Sequence, residues 1–174
     1  MHFVFMGVSG SGKTTVAEVV AERLNLPFAE ADHFHPQANI AKMSSGVALT
    51  DDDRRPWLES LAAWIGEHEA RGQATIMACS ALKRAYRDIL RQGAPDVRFV
   101  HLAGSVELIA QRLRSRTDHF MPGGLLESQA ATLEPLAPDE DGVTLDLAAP
   151  IETSVAEGVR VVSQALDLRD PAGS

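Results

Sequence analysis

The chain has 174 residues, a hydrophobic content of 45% and a formal net charge of −8. This length predicts one domain, and the hydrophobic content is too high for a disordered chain. The acidic balance argues against nucleic acid or an anionic membrane as the main partner, although a local basic pocket for an anionic substrate stays open. Cys79 is the single cysteine, and no apolar run approaches the roughly 18 residues of a membrane span. Because the first predicted strand begins directly after Met1 and leaves no room for a cleavable signal, we expect a soluble cytoplasmic protein.

Residues 7–14 read Gly-Val-Ser-Gly-Ser-Gly-Lys-Thr and match the phosphate-loop pattern at every defined position. A buried strand is predicted at 2–7 and a helix at about 13–24, which is the context that such a loop requires, whereas a chance glycine turn is the alternative. We predict that backbone N–H groups and Lys13 bind the phosphates of a nucleoside triphosphate and that the Thr14 hydroxyl holds Mg²⁺. The predicted nucleotide contacts in this segment are Gly7, Val8, Ser9, Gly10, Ser11, Gly12, Lys13, Thr14 and Thr15.

The rest of the chain alternates predicted strands and helices. Thr50 and Asp53 have the spacing of a capping box at the start of one helix. Five short apolar strands separated by helices predict an α/β fold of three layers, with a five-stranded parallel sheet between helices and a small lid at about 112–130. We expect a single domain at 1–169 and a short tail at 170–174. The further predicted strands are 28–31, 74–79, 97–102 and 142–147, and the further helices are 39–43, 50–69, 82–92, 105–116, 126–133 and 152–168.

Ligands of such a sheet bind at the carboxyl ends of its strands, so the residues that follow each strand are the candidates. Asp32 ends the second strand beside the phosphate loop. Its carboxylate could accept the proton of a substrate hydroxyl, hold Mg²⁺ through water, or only end the strand. His33 and His35 follow, and we favour His35 as a ligand of a polar substrate. A zinc site is not expected, because no third ligand lies close by.

The third predicted strand ends in Ala78-Cys79-Ser80 without an acid, which departs from the ATPase and GTPase patterns. Lys83, Arg87 and Arg91 follow at intervals of four residues and therefore share one helix face. Lys83 and Arg87 are the better ligand candidates because they start nearer the strand end, while a solvated charged face is the alternative. Arg54 and Arg55 begin the preceding long helix and could clamp a carboxylate.

Arg112 and Arg116 lie at the end of a predicted helix, just before the turn at 122–124. This arrangement suits a lid that closes over phosphates and brings an arginine to the charge of the transferring phosphoryl group. The alternative is that these arginines only complement the helix dipole. On the other side of the nucleotide, we expect the loop at 148–150 to contribute backbone contacts to the base.

With these segments placed, the chain resembles the gluconate kinase (gluconokinase) family, small P-loop kinases related to shikimate and nucleoside monophosphate kinases. The resemblance runs from residue 3 to about 165, and Leu136 departs from it where a proline is usual. The phosphate loop is generic, whereas the segments at 78–91 and 119–134 are specific. The matching stretches are 7–14, Asp32-x-x-His35-Pro36-x-x-Asn39-x-x-Lys42-Met43, Leu49 to Leu58, Ala78-Cys79-Ser80-Ala81-Leu82-Lys83-x-x-Tyr86-Arg87-Asp88-x-Leu90-Arg91, and Arg116-x-x-His119-Phe120-Met121-Pro122 through Leu136.

The resemblance implies ATP-dependent, Mg²⁺-dependent phosphorylation of D-gluconate at its 6-hydroxyl, a role in gluconate catabolism, and a homodimer. Lys13, Asp32 and Arg116 are the expected catalytic residues, and Arg112 and Arg116 the expected further ATP contacts. The expected substrate contacts are Asp32, His35, Arg54, Arg55, Ser80, Lys83, Arg87, His119 and Gln129.

The sequence argues against three other functions. A shikimate-type kinase should carry a glycine triplet after the third strand, where this chain has Ser80-Ala81-Leu82-Lys83. A guanine-nucleotide switch should carry an N-K-x-D segment, and the sequence has none. A binding module without catalysis is disfavoured because Lys13, Thr14, Asp32 and Arg116 are all present.

Overall fold

The computed structural model describes residues 1–115 and 125–166. Its described strands form one parallel sheet in the order β2-β3-β1-β4-β5, which confirms the predicted five-stranded parallel sheet. In the register of the sheet, Phe3 of the central strand lies beside Ile76 on one neighbouring strand and beside Arg98 on the other. The strands are β1 (His2–Met6), β2 (Phe28–Glu30), β3 (Thr75–Ala78), β4 (Val97–Ala103) and β5 (Gly142–Asp146).

The helices lie where the apolar periodicity predicts them, with ends that differ by a few residues. A turn of 3₁₀ helix at Ala31–Phe34 was not predicted, and it forms where the Glu30 side chain accepts a hydrogen bond from the Asp32 N–H. Asp32 therefore lies on this turn, directly after the second strand. The α-helices are α1 (Lys13–Leu24), α2 (Gln37–Ser44), α3 (Asp51–Ala70), α4 (Arg84–Arg91), α5 (Val106–Arg114), α6 (Leu125–Thr132) and α7 (Ile151–Ala165).

Alternate residues of β1 divide the core into two halves. Phe3 and Phe5 pack on one face with side chains of α1, α5 and α7, whereas Val4 and Met6 pack on the other face with α3 and α4. Each large apolar side chain buried in this way contributes roughly 1.5–3 kcal/mol. Helices therefore cover both faces of the sheet, as the continuous apolar character of the strands predicts.

Helix α3 ties the loop after β2 to the ligand edge of the sheet. Its first turn has the predicted capping box, in which Thr50 and Asp53 exchange hydrogen bonds between side chain and backbone. The Trp57 indole N–H donates to the Ala31 carbonyl at 2.7 Å. The buried Asn39 amide of α2 donates to the Asp53 carbonyl at 2.9 Å. Together these bonds fix the start of α3 beside Asp32.

Several of the predicted positions lie outside the described residues, namely Arg116, His119, most of the lid loop and the tail at 170–174. Among the helices that the structure describes, none combines the length and apolar character needed to cross a bilayer. Cys79 is buried after β3 with its thiol reduced, and burial raises the pKa of that thiol to about 12.

Candidate active site

The phosphate loop connects β1 to the first turn of α1. Gly10 and Gly12 both have φ of 83°, a left-handed conformation that side chains rarely adopt. At Gly10 an added Cβ would also lie 2.7 Å from Leu113 of α5. The Gly7 N–H donates to the Ser80 carbonyl at 3.3 Å, which joins the loop to the segment after β3. The loop is thus held by two neighbouring strand ends.

Lys13, Thr14 and Asp32 line one cavity of about 360 Å³ together with backbone of the loop. Helix α1 begins at Lys13, so its N-terminal N–H groups and its dipole favour negative charge there. The structure therefore brings together three of the predicted site residues around a space suited to phosphate groups. The cavity also contacts Ser9, Gly10, Gly12, Thr15 and Leu113.

Glu30 is a site residue that the sequence reasoning missed. The Thr14 hydroxyl donates to Glu30 Oε2 at 2.6 Å, while Glu30 Oε1 accepts the Asp32 N–H at 3.3 Å. A hydroxyl and a carboxylate oxygen are ligand types that Mg²⁺ prefers, so Thr14 and Glu30 fit the predicted metal. The sequence predicted a second strand up to residue 31 with site residues only after it, whereas Glu30 is the last residue of that strand in the structure.

A second cavity, of about 280 Å³, lies on the other side of the loop. Leu102, Leu147 and Ile151 give it an apolar lining, and Arg112 and Ser154 give it polar groups. Arg112 donates to the Leu147 carbonyl, and to the Ala149 carbonyl at 3.1 Å. Arg112 thus fixes the loop after β5, where the sequence predicted contacts with the nucleotide base. The shape and lining suit a nucleoside whose phosphates lie over Gly10 and Gly12.

His35 directly follows the 3₁₀ turn that carries Asp32. Its ring stacks on Trp57 with centroids 4.2 Å apart, and its Nδ1 accepts a hydrogen bond from the Asn39 amide at 3.3 Å. Burial lowers the pKa of His35, with the charges of Asp32 and Arg54 acting in opposite directions. The neutral ring, accepting at Nδ1, carries its proton on Nε2 and can donate it to a substrate oxygen.

Arg54 and Lys83 meet near Asp51. Lys83 Nζ lies 3.2 Å from Asp51 Oδ1, and the nearest Arg54 nitrogen lies 3.9 Å from the same oxygen. Arg55 is exposed and pairs with no acid in the part of the chain that the structure describes, and Ser80 is half-buried beside the phosphate loop. Both remain predicted substrate contacts.

Arg87 requires a correction. Its side chain is fully buried, and it donates to both carboxylate oxygens of Glu140 at 2.7 and 3.0 Å and to the Ala81 carbonyl at 2.9 Å. These bonds use its guanidinium inside the protein, so the predicted substrate contact of Arg87 is replaced by a structural role. Spacing could not show this, because Glu140 lies 53 residues further along the chain.

Gln129 lies against the phosphate loop. Its side-chain oxygen accepts the Ser9 N–H at 2.7 Å, which joins helix α6 to the loop. Gln129 therefore contacts a residue that lines the phosphate cavity. Among the described residues, it makes no hydrogen bond to the other predicted substrate contacts. Arg116 and His119 lie outside the described residues, and their roles stay predictions.

Comparison with known proteins agrees with this geometry. The family described as AAA domain matches residues 3–136. The thermoresistant gluconokinase of Escherichia coli (strain K12) is 42% identical over 163 residues, which cover 93% of each chain. The chain belongs to the gluconokinase family of small P-loop kinases.

Solved structures of the gluconokinase type extend the similarity to three dimensions. A gluconokinase from Sinorhizobium meliloti 1021 is 46% identical, with a TM-score of 0.82 and coverage of 95% of both chains. A sugar kinase from Janibacter sp. HTCC2649, in an unliganded structure, is 53% identical, with a TM-score of 0.86 and coverage of 96% of this chain and 94% of that one. This gluconokinase-family protein is therefore a kinase with the α/β P-loop kinase fold.

Proposed function

We propose that this protein transfers the γ-phosphoryl group of ATP to the 6-hydroxyl of D-gluconate and so forms 6-phospho-D-gluconate. The observation that carries the proposal is the position of Asp32, which lines the phosphate cavity together with Lys13 and Thr14. A carboxylate there can reach a hydroxyl that approaches the γ-phosphate. The identity of the acceptor rests on the gluconokinases to which the chain is similar.

The reaction follows from the groups around the cavity. The gluconate O6 forms a bond to the γ-phosphorus while the bond from that phosphorus to the bridging oxygen of ADP breaks. The Asp32 carboxylate accepts the O6 proton, a step that contributes typically about 10²–10⁴-fold to such rates. Loop N–H groups and Lys13 bind the β- and γ-phosphate oxygens. Mg²⁺ held by Thr14 and Glu30 would neutralise charge on these phosphates.

Two further groups complete the proposal. His35 donates its Nε2 proton to a gluconate hydroxyl, since stacking on Trp57 and the bond from Asn39 fix its orientation. Arg116, on the lid, approaches the transferring phosphoryl group when the lid closes and stabilises its charge. The assignment of the 112–130 segment as the lid rests on its sequence.

The test is a coupled assay with ATP, Mg²⁺ and a panel of gluconate, other aldonates, glycerate, shikimate and AMP. We expect turnover of gluconate, its loss in Lys13→Ala, and a fall of about 10²–10⁴-fold in kcat for Asp32→Asn. Normal gluconate turnover in Asp32→Asn would show that Asp32 is not the base, while the proposed gluconate kinase activity would stand. Turnover of another acceptor but not of gluconate would show that gluconate is not the substrate, although the protein would still be a kinase.

Assembly and location belong to the same proposal. We propose a homodimer of single-domain chains in the cytoplasm, a setting compatible with a buried thiol at Cys79. Light scattering coupled to size-exclusion chromatography measures the mass directly. A mass of one chain across the working concentration range would overturn the dimer.

A further inference from the structure

Two hydrogen-bond donors and a second cation surround the carboxylate of Asp51. Tyr86, on α4, donates its hydroxyl to Asp51 Oδ1 at 2.5 Å. Lys83, which precedes α4, lies 3.2 and 3.3 Å from the two carboxylate oxygens. Arg54, on α3 with Asp51, completes the group at 3.9 Å. The cluster is therefore a preformed site for one carboxylate.

The donors are held in place independently of Asp51. Arg54 Nη1 donates to the Leu49 carbonyl at 2.7 Å and to the Tyr86 hydroxyl at 3.4 Å. The Tyr86 side chain is largely buried, and both cations lie over its ring, Arg54 at 5.6 Å and Lys83 at 5.5 Å from the centroid. The site would therefore persist if its carboxylate changed.

Apart from the short hydrogen bond from Tyr86, Asp51 is held only by weak contacts. Its side chain is 63% exposed, and its contacts with the two cations are long for charge-assisted hydrogen bonds. Exposed pairs of this kind add little to stability, so their exchange costs little. The two cations Arg54 and Lys83 also exceed the single negative charge of Asp51, which leaves the cluster attractive to a second anion.

The cluster lies next to the reacting groups. The Asn39 amide donates to His35 Nδ1 at 3.3 Å and to the carbonyl of Asp53, the residue before Arg54, at 2.9 Å, so His35 lies close to the start of α3. The Asn39 and Trp57 side chains fix the relative position of these elements. A short polyhydroxylated acid can therefore extend from Asp32, past His35, to the cations.

Accepting the gluconate kinase function proposed above, we propose that Arg54, Lys83 and Tyr86 form the subsite for the substrate carboxylate. Asp51 occupies this subsite in the absence of substrate and is displaced when the carboxylate binds. The subsite selects sugar acids over neutral sugars, because a neutral group would leave Asp51 in place and gain no contact with the cations.

The charge state of Asp51 agrees with this role. Hydrogen bonds from Tyr86 and Lys83 lower the pKa of the Asp51 carboxyl. Asp51 is therefore an anion at neutral pH, of the same chemical type as the group that replaces it.

The experiment compares gluconate with D-gluconamide, in which a neutral amide replaces the carboxylate. Wild-type protein, Lys83→Met, Tyr86→Phe and Asp51→Asn are assayed with both acceptors, and Arg98→Gln serves as the control. Arg98 pairs with Asp141 and lies at the amino end of β4, away from the ligand edge. The Arg98→Gln substitution removes one positive charge, as Lys83→Met does, at a site that does not contact the Asp51 cluster.

We expect Lys83→Met and Tyr86→Phe to lower kcat/KM for gluconate at least about tenfold, since each removes a hydrogen bond to a charged group. Their kcat/KM for gluconamide should fall by a clearly smaller factor, because a neutral amide gains less from the two donors. Asp51→Asn should lower the KM for gluconate and leave gluconamide unchanged, and Arg98→Gln should change neither.

Two results would overturn the subsite while gluconate remains the substrate. One is an equal loss for both acceptors in Lys83→Met and Tyr86→Phe, and the other is a raised KM for gluconate in Asp51→Asn. Wild-type protein that phosphorylates neither acceptor, although active on another member of the panel, would instead overturn the proposed function and the subsite with it.

Discussion

Two clusters in which cations surround a carboxylate involve α4 or the residue just before it, and the two differ in burial. In the first, Arg87 and Arg91 hold Glu140, whose side chain is fully buried. In the second, Lys83 and Arg54 hold Asp51, whose side chain is 63% exposed. A buried carboxylate is fixed to its partners, because removing either one leaves an unpaired charge in the interior. An exposed carboxylate can be displaced by the carboxylate of a ligand. The difference in burial therefore assigns a structural role to the Glu140 cluster and a binding role to the Asp51 cluster that we propose.

The largest effect on stability is expected when the buried cluster is cut. Arg87→Met should lower the free energy of unfolding by about 3–5 kcal/mol, because Glu140 is left charged in the interior. Urea unfolding followed by circular dichroism measures this loss. Arg98→Gln, which removes a partly exposed arginine, is the control and should change stability little. An Arg87→Met protein of normal stability with a raised KM for gluconate would restore Arg87 as a substrate contact.

The buried cluster also predicts how stability depends on pH. Hydrogen bonds from Arg87, the Ala137 N–H and Arg91 outweigh burial and hold the pKa of Glu140 at about 2, below its ordinary value of 4.5. Because the folded pKa is depressed, this stabilisation is complete above about pH 4.5 and is lost as the pH falls towards 2. The stability difference between wild type and Glu140→Gln should therefore shrink below pH 4.5. A difference that stays constant from pH 6 to pH 3 would contradict this assignment.

A smaller effect is expected at the start of α3, which carries the exposed cluster. Thr50→Ala removes the side-chain cap and should cost about 1 kcal/mol of stability. It should also raise the KM for gluconate, because Asp51 and Arg54 lie in the first turns that the cap fixes. Thr50→Ser keeps the hydroxyl and is the matched control. Equal kinetics for the two variants would show that the cap does not position the cluster.

The smallest effect on stability is expected for the exposed carboxylate. Asp51→Asn should leave the midpoint of urea unfolding close to that of the wild type, because the side chain is mostly exposed. The same variant should change the KM for gluconate, so stability and binding separate at Asp51. A large loss of stability in Asp51→Asn would show that the Asp51 cluster is structural, like the Glu140 cluster.

The fold could be read from the sequence because its signals are local. The phosphate loop is a continuous motif, the strands are short apolar runs, and Thr50 and Asp53 form the predicted cap. The site was harder, since its contacts join distant segments. Arg87 has the same helical spacing as Lys83, and only its contact with Glu140 shows that it is structural. The bond from Thr14 to Glu30 depends likewise on how β2 lies beside the loop.

Tyr86 and Asp51 show the same limit on the acceptor side. A tyrosine and an aspartate 35 residues apart give no joint pattern in the sequence, and their hydrogen bond depends on the packing of α3 against α4. The predicted roles of Arg116 and His119 rest on sequence alone, because these residues lie outside the described part of the chain.

We propose above that this kinase phosphorylates the primary hydroxyl of gluconate. Proton-coupled ³¹P nuclear magnetic resonance of the product, formed from gluconate and ATP with Mg²⁺, tests this claim most directly. We predict a triplet for the product phosphorus, because a phosphate on O6 couples to the two protons of C6. A doublet would place the phosphate on a secondary hydroxyl and contradict the account, as would the absence of a phosphorylated gluconate.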